Sequence, residues 1–312
     1  MQGIKYLDYY IPERRLEIDV FLEQLPDAFV PRTFRDKAAY AGFLTGVLRL
    51  GGINCETQLS PAGMLDGLLD KMFGSRIVLP EMIDLVLVTG REGGESLADG
   101  LGQYLHSRHG MNKAYILELA GNNCANVDFA IDTACQLLQG YKFKHILVTA
   151  VNLIRRPEER IVGSYALLGD GAGIVLLSKN EAVLSPKGSE MLVNGMLHEG
   201  DLEGDHSIEL FKYYVECLEN IQKRACINDG QISHILVQNA NPLLVMPSIE
   251  SAGLGKDKIF TANFGRWGHL DCVDSIVNLA DIARTSLPRD KYVLTFSTGV
   301  RGSYISMLLK PC

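Results

Sequence analysis

The chain has no excess of basic charge. Its 312 residues hold 30 Lys and Arg against 37 Asp and Glu, a net charge of −7. No general positive field exists to draw nucleic acid or anionic lipid. Long apolar runs are missing as well. The stretch 146–154 is only nine residues and includes Thr149 and Asn152, well short of the roughly 20 that span a bilayer. The opening residues, Met1-Gln2-Gly3-Ile4-Lys5-Tyr6, carry no signal-peptide core. Seven cysteines, an odd number without paired short spacings, favour a reducing compartment over a disulfide framework. The expectation is a soluble, cytoplasmic protein with neither a nucleic-acid nor a membrane partner. Hydrophobic residues at 47% and charged residues at 21% form an ordinary globular balance, against disorder.

Strand-like apolar runs alternate with helical patterns, as expected of an α/β chain with a largely parallel sheet and helices on both faces. Strands are predicted at 82–88, 115–119, 145–151 and 173–177, with helices at 96–108 and from Cys124 to about 140. The second half repeats the theme, with helices at 208–226 and 271–283 and strands at 235–237, 292–296 and 304–309. Gly169-Asp170-Gly171-Ala172-Gly173 before one strand parallels 297–302 before another, and Cys124 precedes one long helix as His269 precedes its counterpart. This pattern predicts a pseudo-twofold duplication with halves at 1–182 and 183–312, the crossing lying in the Gly- and acid-rich region 181–205.

Cys124 is the most informative residue. It follows the strand at 115–119 and opens a helix whose apolar stripe reads Val127, Ala130, Ile131, Ala134, Cys135, Leu138. A thiol there faces unpaired N–H groups and the positive end of the helix dipole, which commonly lowers its pKa. The competing reading is a buried structural thiol, the default for the other six cysteines. His106 and His109 lack a third ligand and read as surface residues rather than a metal pair. The 169–173 glycines lead into a strand instead of a helix, so no dinucleotide fingerprint is present. Asp128 and Asp132 sit in the first turns of the Cys124 helix, where the dipole alone accounts for them.

Several stretches in order point to a family. They are Tyr10-Ile11-Pro12-Glu13, Cys124-Ala125 with Val127 and Ala130, Leu168-Gly169-Asp170-Gly171-Ala172-Gly173, Gln238-Asn239-Ala240-Asn241, Trp267-Gly268-His269 and the loop 296–302. With these the chain resembles the β-ketoacyl-acyl-carrier-protein synthase III group of the thiolase superfamily over most of its length. That resemblance implies a thiolase-like fold of two pseudo-symmetric α/β halves layered α-β-α-β-α. It also implies an acyltransferase that forms an acyl thioester on Cys124. The donor would be acyl-coenzyme A or an acyl carrier protein, with no resident cofactor or metal, and the protein would form a homodimer or a heterodimer with a related subunit.

Two departures stand out. Gln238 occupies the position of the family's histidine, and His269 that of its asparagine. The resemblance then makes Cys124 the nucleophile, His269 its acid/base partner and Gln238 a site amide or a turn residue. A histidine that only supports another site side chain, or a solvated loop histidine, is the alternative for His269. Asn241 would lie along the pantetheine arm or cap a turn. Gly299 would sit among the oxyanion donors, and Arg32 or Arg35 would meet phosphate of coenzyme A. The segment after Asn241 has no Lys or Arg before Lys256, which favours coenzyme A or a different docking surface for the carrier. The acceptor stays open between carbon, by decarboxylative condensation, and oxygen or nitrogen, by ester or amide formation. The altered motifs suggest specialised fatty-acid or polyketide synthesis. A catalytically degenerate subunit supporting an active partner is the rival.

Overall fold

A computed structural model describes residues 1–93, 100–197 and 207–312. The chain runs β1 (Gly3–Tyr10), β2 (Arg15–Glu17), α1 (Ile18–Gln24), α2 (Lys37–Gly46), β3 (Gly52–Asn54), α3 (Pro61–Gly74) and β4 (Leu85–Gly90). It continues with α4 (Leu101–Arg108), β5 (Tyr115–Glu118), α5 (Asn126–Gln139), β6 (His145–Asn152), β7 (Ile161–Val162), β8 (Ala166–Leu167), β9 (Gly171–Ser178) and β10 (Leu184–Val193). The remainder is α6 (Ser207–Ala225), β11 (Ile232–Val237), α7 (Pro242–Ser251), α8 (Val273–Ala283), β12 (Tyr292–Gly299) and β13 (Ser303–Pro311). The expected helix start at 96–99 and the part of the crossing at 198–205 lie outside the described residues.

Among the described residues, nine strands form one sheet in the order β11-β12-β13-β10-β1-β9-β6-β4-β5. The order explains the duplication. Parallel β4·β6, antiparallel β6·β9 and antiparallel β9·β1 are matched by parallel β11·β12, antiparallel β12·β13 and antiparallel β13·β10. The halves join where β1 meets β10, and β5 is an extra edge strand on the first half.

Two expectations need correction. The sheet is mixed rather than largely parallel, because β1, β9, β10 and β13 run antiparallel to their neighbours. Apolar runs such as β9, buried at every residue, mark burial on both faces and not direction. The crossing at 181–205 is not all loop either: 184–193 is β10, bonded between β1 and β13.

Layering follows from which helix faces are apolar. The stripe of α5 (Val127, Ala130, Ile131, Ala134, Leu138) packs with Ile276, Val277, Leu279 and Ala280 of α8 in one buried cluster. That cluster also takes Leu85, Ile146 and Val175 from one half-sheet and Leu236, Val293 and Ile305 from the other. Ala130 and Ala134 let the two helices approach closely. Truncating a side chain such as Ile131 there would cost about 2–5 kcal/mol. Outer clusters built on α3 and α4, and on α6 and α7, cover the far faces, completing the α-β-α-β-α order. Each half thus delivers the start of one central helix, α5 or α8, to the same interior position.

Two side chains differ from their expected roles. His109 is buried, with Nε2 2.8 Å from Asp66 and Nδ1 3.4 Å from Asp70, and it ties the end of α4 to α3. Asp128 is fully buried and accepts from the hydroxyls of Ser275 on α8 and Ser297 on β12. It fastens α5 to both elements, a stronger role than a dipole contact at a helix end.

Candidate active site

Cys124 lies in a single 3-10 turn, Asn123–Ala125, between β5 and α5. The preceding Asn123 takes a left-handed backbone, φ +49°, a conformation that asparagine tolerates better than most residues. Three elements clamp this turn. Glu92 accepts from the N–H groups of Gly121 (2.5 Å) and Asn123 (3.0 Å). Buried Asn126 accepts from the Asn122 N–H (2.9 Å) and donates to the Gly90 carbonyl (3.0 Å). From the other half, Gly299 at the end of β12 comes so close that a Cβ there would lie 2.1 Å from the Asn122 carbonyl oxygen. Only glycine permits that approach.

The thiol itself is 3% exposed and donates to Asp271 Oδ2 at 3.5 Å. Burial first, then the Asp271 carboxylate, pushes its pKa well up. The expected lowering by the helix terminus is therefore overturned: desolvation and a neighbouring negative charge outweigh a partial dipole charge.

His269 is 1% exposed. Its Nδ1 is 2.5 Å from Asp274 Oδ2, while Nε2 is buried with no hydrogen-bond partner among the described residues. A carboxylate can only accept, so Nδ1 carries the proton in this pair. Burial pulls the imidazole pKa down, but the Asp274 charge and hydrogen bond, helped by Asp271, raise it overall. The N–H groups of Asn239 (2.7 Å) and Leu270 (3.0 Å) and the Asn239 amide (3.0 Å) also converge on Asp274. The backbone of His269 is braced by the 168–173 turn. Gly169 N–H donates to the His269 carbonyl (3.0 Å), and His269 N–H donates to the Leu167 carbonyl (2.9 Å). A Cβ on Gly169 would fall 2.1 Å from the Trp267 carbonyl oxygen. Asp170 anchors the turn through a bidentate pair with buried Arg160, 2.9 Å on each oxygen.

Gln238 is spent on the backbone. Its Nε2 donates to the carbonyls of Cys124 (2.8 Å) and Thr298 (3.0 Å), and Oε1 accepts from the Thr298 N–H (3.1 Å). The primary amide imitates a peptide group, extending the β11·β12 pairing past Val237 and Phe296. Both amide hydrogens are committed, so Gln238 positions Cys124 and presents no free donor to a substrate. The hydroxyl of buried Tyr165 reaches Thr298 Oγ1 (3.4 Å), and its ring sits edge-on to His269 with centroids 6.2 Å apart.

No protein-family model matches the chain. It is 24% identical over 198 residues to a β-ketoacyl-acyl-carrier-protein synthase III of Clostridium botulinum, covering 55% of this chain and 60% of that one. It is 24% identical over 206 residues to the corresponding protein of Aquifex aeolicus, covering 60% and 64%. The matched segments thus span less than two thirds of these curated relatives. Solved structures match end to end. The Aquifex aeolicus synthase III superposes with TM-score 0.77 at 17% identity, covering 99% of this chain and 100% of that one. ChlB3, an acyltransferase, gives 0.81 at 17% over 99% and 97%. OleA of Xanthomonas campestris gives 0.79 at 14% over 99% and 98%. The fold is that of the synthase III structures.

Not every expected site residue joins the Cys124 cluster. Cys124, Gln238 and Gly299 meet around one turn, and His269 is linked to them through Tyr165. Asn241 caps α7, with Oδ1 accepting from Leu243 N–H (2.9 Å) and Nδ2 donating to the Ser164 carbonyl (3.2 Å). Arg32 and Arg35 are exposed in the loop before α2, and Arg35 pairs with Asp36 at 2.8 Å. Asp271, Asp274, Tyr165 and Glu92 belong to the cluster and were not foreseen. The two aspartates lie two and five positions after His269, where acids near a helix start have an ordinary explanation in the dipole. Tyr165 and Glu92 left no sequence signal, since both reach the cluster only through the fold.

Proposed function

We propose that the chain is an acyltransferase. It takes an acyl group from a coenzyme A or carrier-protein thioester onto Cys124 and passes it to an acceptor, with His269 as acid/base partner. The observation that carries this reading is the convergence, from opposite halves, of a clamped cysteine turn and an Asp274–His269 pair whose Nε2 is uncommitted. Such a pair fixes the tautomer and orientation of the imidazole, as the carboxylate does in a Ser-His-Asp triad. Gly299 abutting Asn122 supports oxyanion donors at the Cys124 N–H and the adjacent loop. With Gln238 tied to the backbone, a malonyl enolate would lack one of the two donors that condensation calls for. The cluster therefore favours ester or amide formation over decarboxylative condensation.

Intact mass after incubation with acyl-coenzyme A and acyl-carrier panels tests the reading. A stoichiometric adduct absent from Cys124→Ala is expected, and amide or ester product without carbon dioxide release identifies the acceptor class. The degenerate-subunit reading is favoured by one observation, the near-complete burial of Cys124 and His269. Absence of an adduct with any donor would decide for it.

Either reading includes a dimer, homotypic or with a related synthase subunit. Its support here is β5, an edge strand with Tyr115 57% and Leu117 51% exposed. Such an edge invites pairing with another chain, and sedimentation of the purified protein measures it. Among the described residues no helix is long and apolar enough to cross a membrane.

A further inference from the structure

We propose that Asp271, rather than His269, takes the thiol proton of Cys124 during acylation. This role rests on the acyl-transfer reading. Its first support is direct contact: of the acids among the described residues, Asp271 is the one bonded to the sulfur, Oδ2 to Sγ 3.5 Å. The second is backbone conformation. Asp271 has φ +55°, a left-handed geometry that costs a non-glycine residue about 1 kcal/mol or more. The third is orientation, since its own neighbour, the Cys272 N–H, donates to Oδ1 at 2.7 Å and aims Oδ2 at the thiol. A buried carboxylate set against a buried sulfur disfavours any standing thiolate. It is well placed for a proton transfer concerted with attack, in which no free thiolate forms beside it.

The groups facing this carboxylate are Cys124 and Cys272, with Asp274 and His269 close behind on the same turn. His269 Nδ1 is held by Asp274, so its Nε2 is left to take a proton from the acceptor. As Sγ bonds to the thioester carbonyl carbon, the S–H bond breaks and the proton moves to Asp271 Oδ2. When the tetrahedral intermediate collapses, the donor's C–S bond breaks and its sulfur leaves with that proton. The donor thioester and the thiol become an acyl-Cys124 thioester and a free thiol, with no other reactant.

Asp271→Asn separates the roles. Asparagine accepts the left-handed backbone and keeps an oxygen for the Cys272 N–H, but it lacks basicity and charge. Two rates are compared with wild type. One is single-turnover acylation by acetyl-coenzyme A, read by intact mass. The other is alkylation at Cys124 by iodoacetamide from pH 6 to 10, read by peptide mass. Removing the charge eases thiolate formation, so alkylation near pH 8 should rise about 10-fold. Acylation should fall about 100-fold or more, as for a lost general base. Opposite movements of the two rates support the role. Acylation by the variant at or above the wild-type rate overturns it, while lack of any adduct on wild-type protein overturns the acyl-transfer reading instead. Asp271→Gly, which also relieves the backbone, must show the same split if the asparagine variant does not fold.

Discussion

Replacing Gly299 by alanine tests how the two halves meet. The added Cβ would lie 2.1 Å from the Asn122 carbonyl oxygen and 2.9 Å from its carbon, against a floor of 3.0 Å for real contacts. One side must therefore retreat by about 1 Å, and overpacking of this kind costs about 1–3 kcal/mol. Neither side is loose. Gly299 is paired with Ser303 across β12·β13, and Asn122 is held by Asn126 with Glu92 gripping the next residue. For a chain of this size the cost corresponds to a fall in Tm on the order of 2–5 °C. The displaced atoms belong to the turn that carries Sγ, and misplacing a reacting atom by about 1 Å costs on the order of 100-fold in rate. Calorimetry gives the first quantity, and single-turnover acylation followed by intact mass gives the second. A Gly299→Ala protein with unchanged Tm and acylation within about twofold of wild type would refute the inference that this contact sets the position of Cys124.

Three further outcomes are expected. Gln238→Ala leaves the Cys124 and Thr298 carbonyls without their donor, which should destabilise the fold by about 1–3 kcal/mol in denaturant titration. Asp274→Asn removes the charge that raises the His269 pKa from its ordinary 6.5. A raised histidine pKa contributes stability that is full below the unfolded value and is lost as pH rises through the folded one. The wild-type advantage over Asp274→Asn should therefore shrink from pH 6.5 upward, as pH-dependent unfolding would show. Burial raises the Asp128 pKa above its ordinary 3.8 despite the serine hydroxyls. Its neutral form thus favours folding at low pH, and stability is lost as pH rises through the folded value. Asp128→Asn should flatten that part of the stability profile, and an unchanged slope would argue that the carboxyl is ionised throughout.

Much of this architecture can be read along the chain because its signals are local. The α5 stripe, the elbow at Cys124 and the glycine-rich 169–173 turn each depend on residues within a few positions of one another. So does the alternation of strands and helices that reveals the duplication. Strand direction is different: β1, β9, β10 and β13 bear the same apolar pattern whichever way their neighbours run, and a parallel sheet was the wrong inference. His109 and Asp128 read as surface and helix-end residues because nothing adjacent in sequence shows Asp66, Ser275 or Ser297 beside them.

By itself the sequence determined the α/β class, the pseudo-twofold plan and the candidacy of Cys124, Gln238, Gly299 and His269. Tertiary structure alone decided what each of them contacts. Gln238 becomes a peptide mimic only once β12 lies alongside it, and the Asn241 amide reaches the Ser164 carbonyl only across the fold. The thiol's hydrogen-bond partner is Asp271, 147 residues away. Desolvation and Coulomb interactions depend on distance in space, and only the closing of one half on the other supplies those distances.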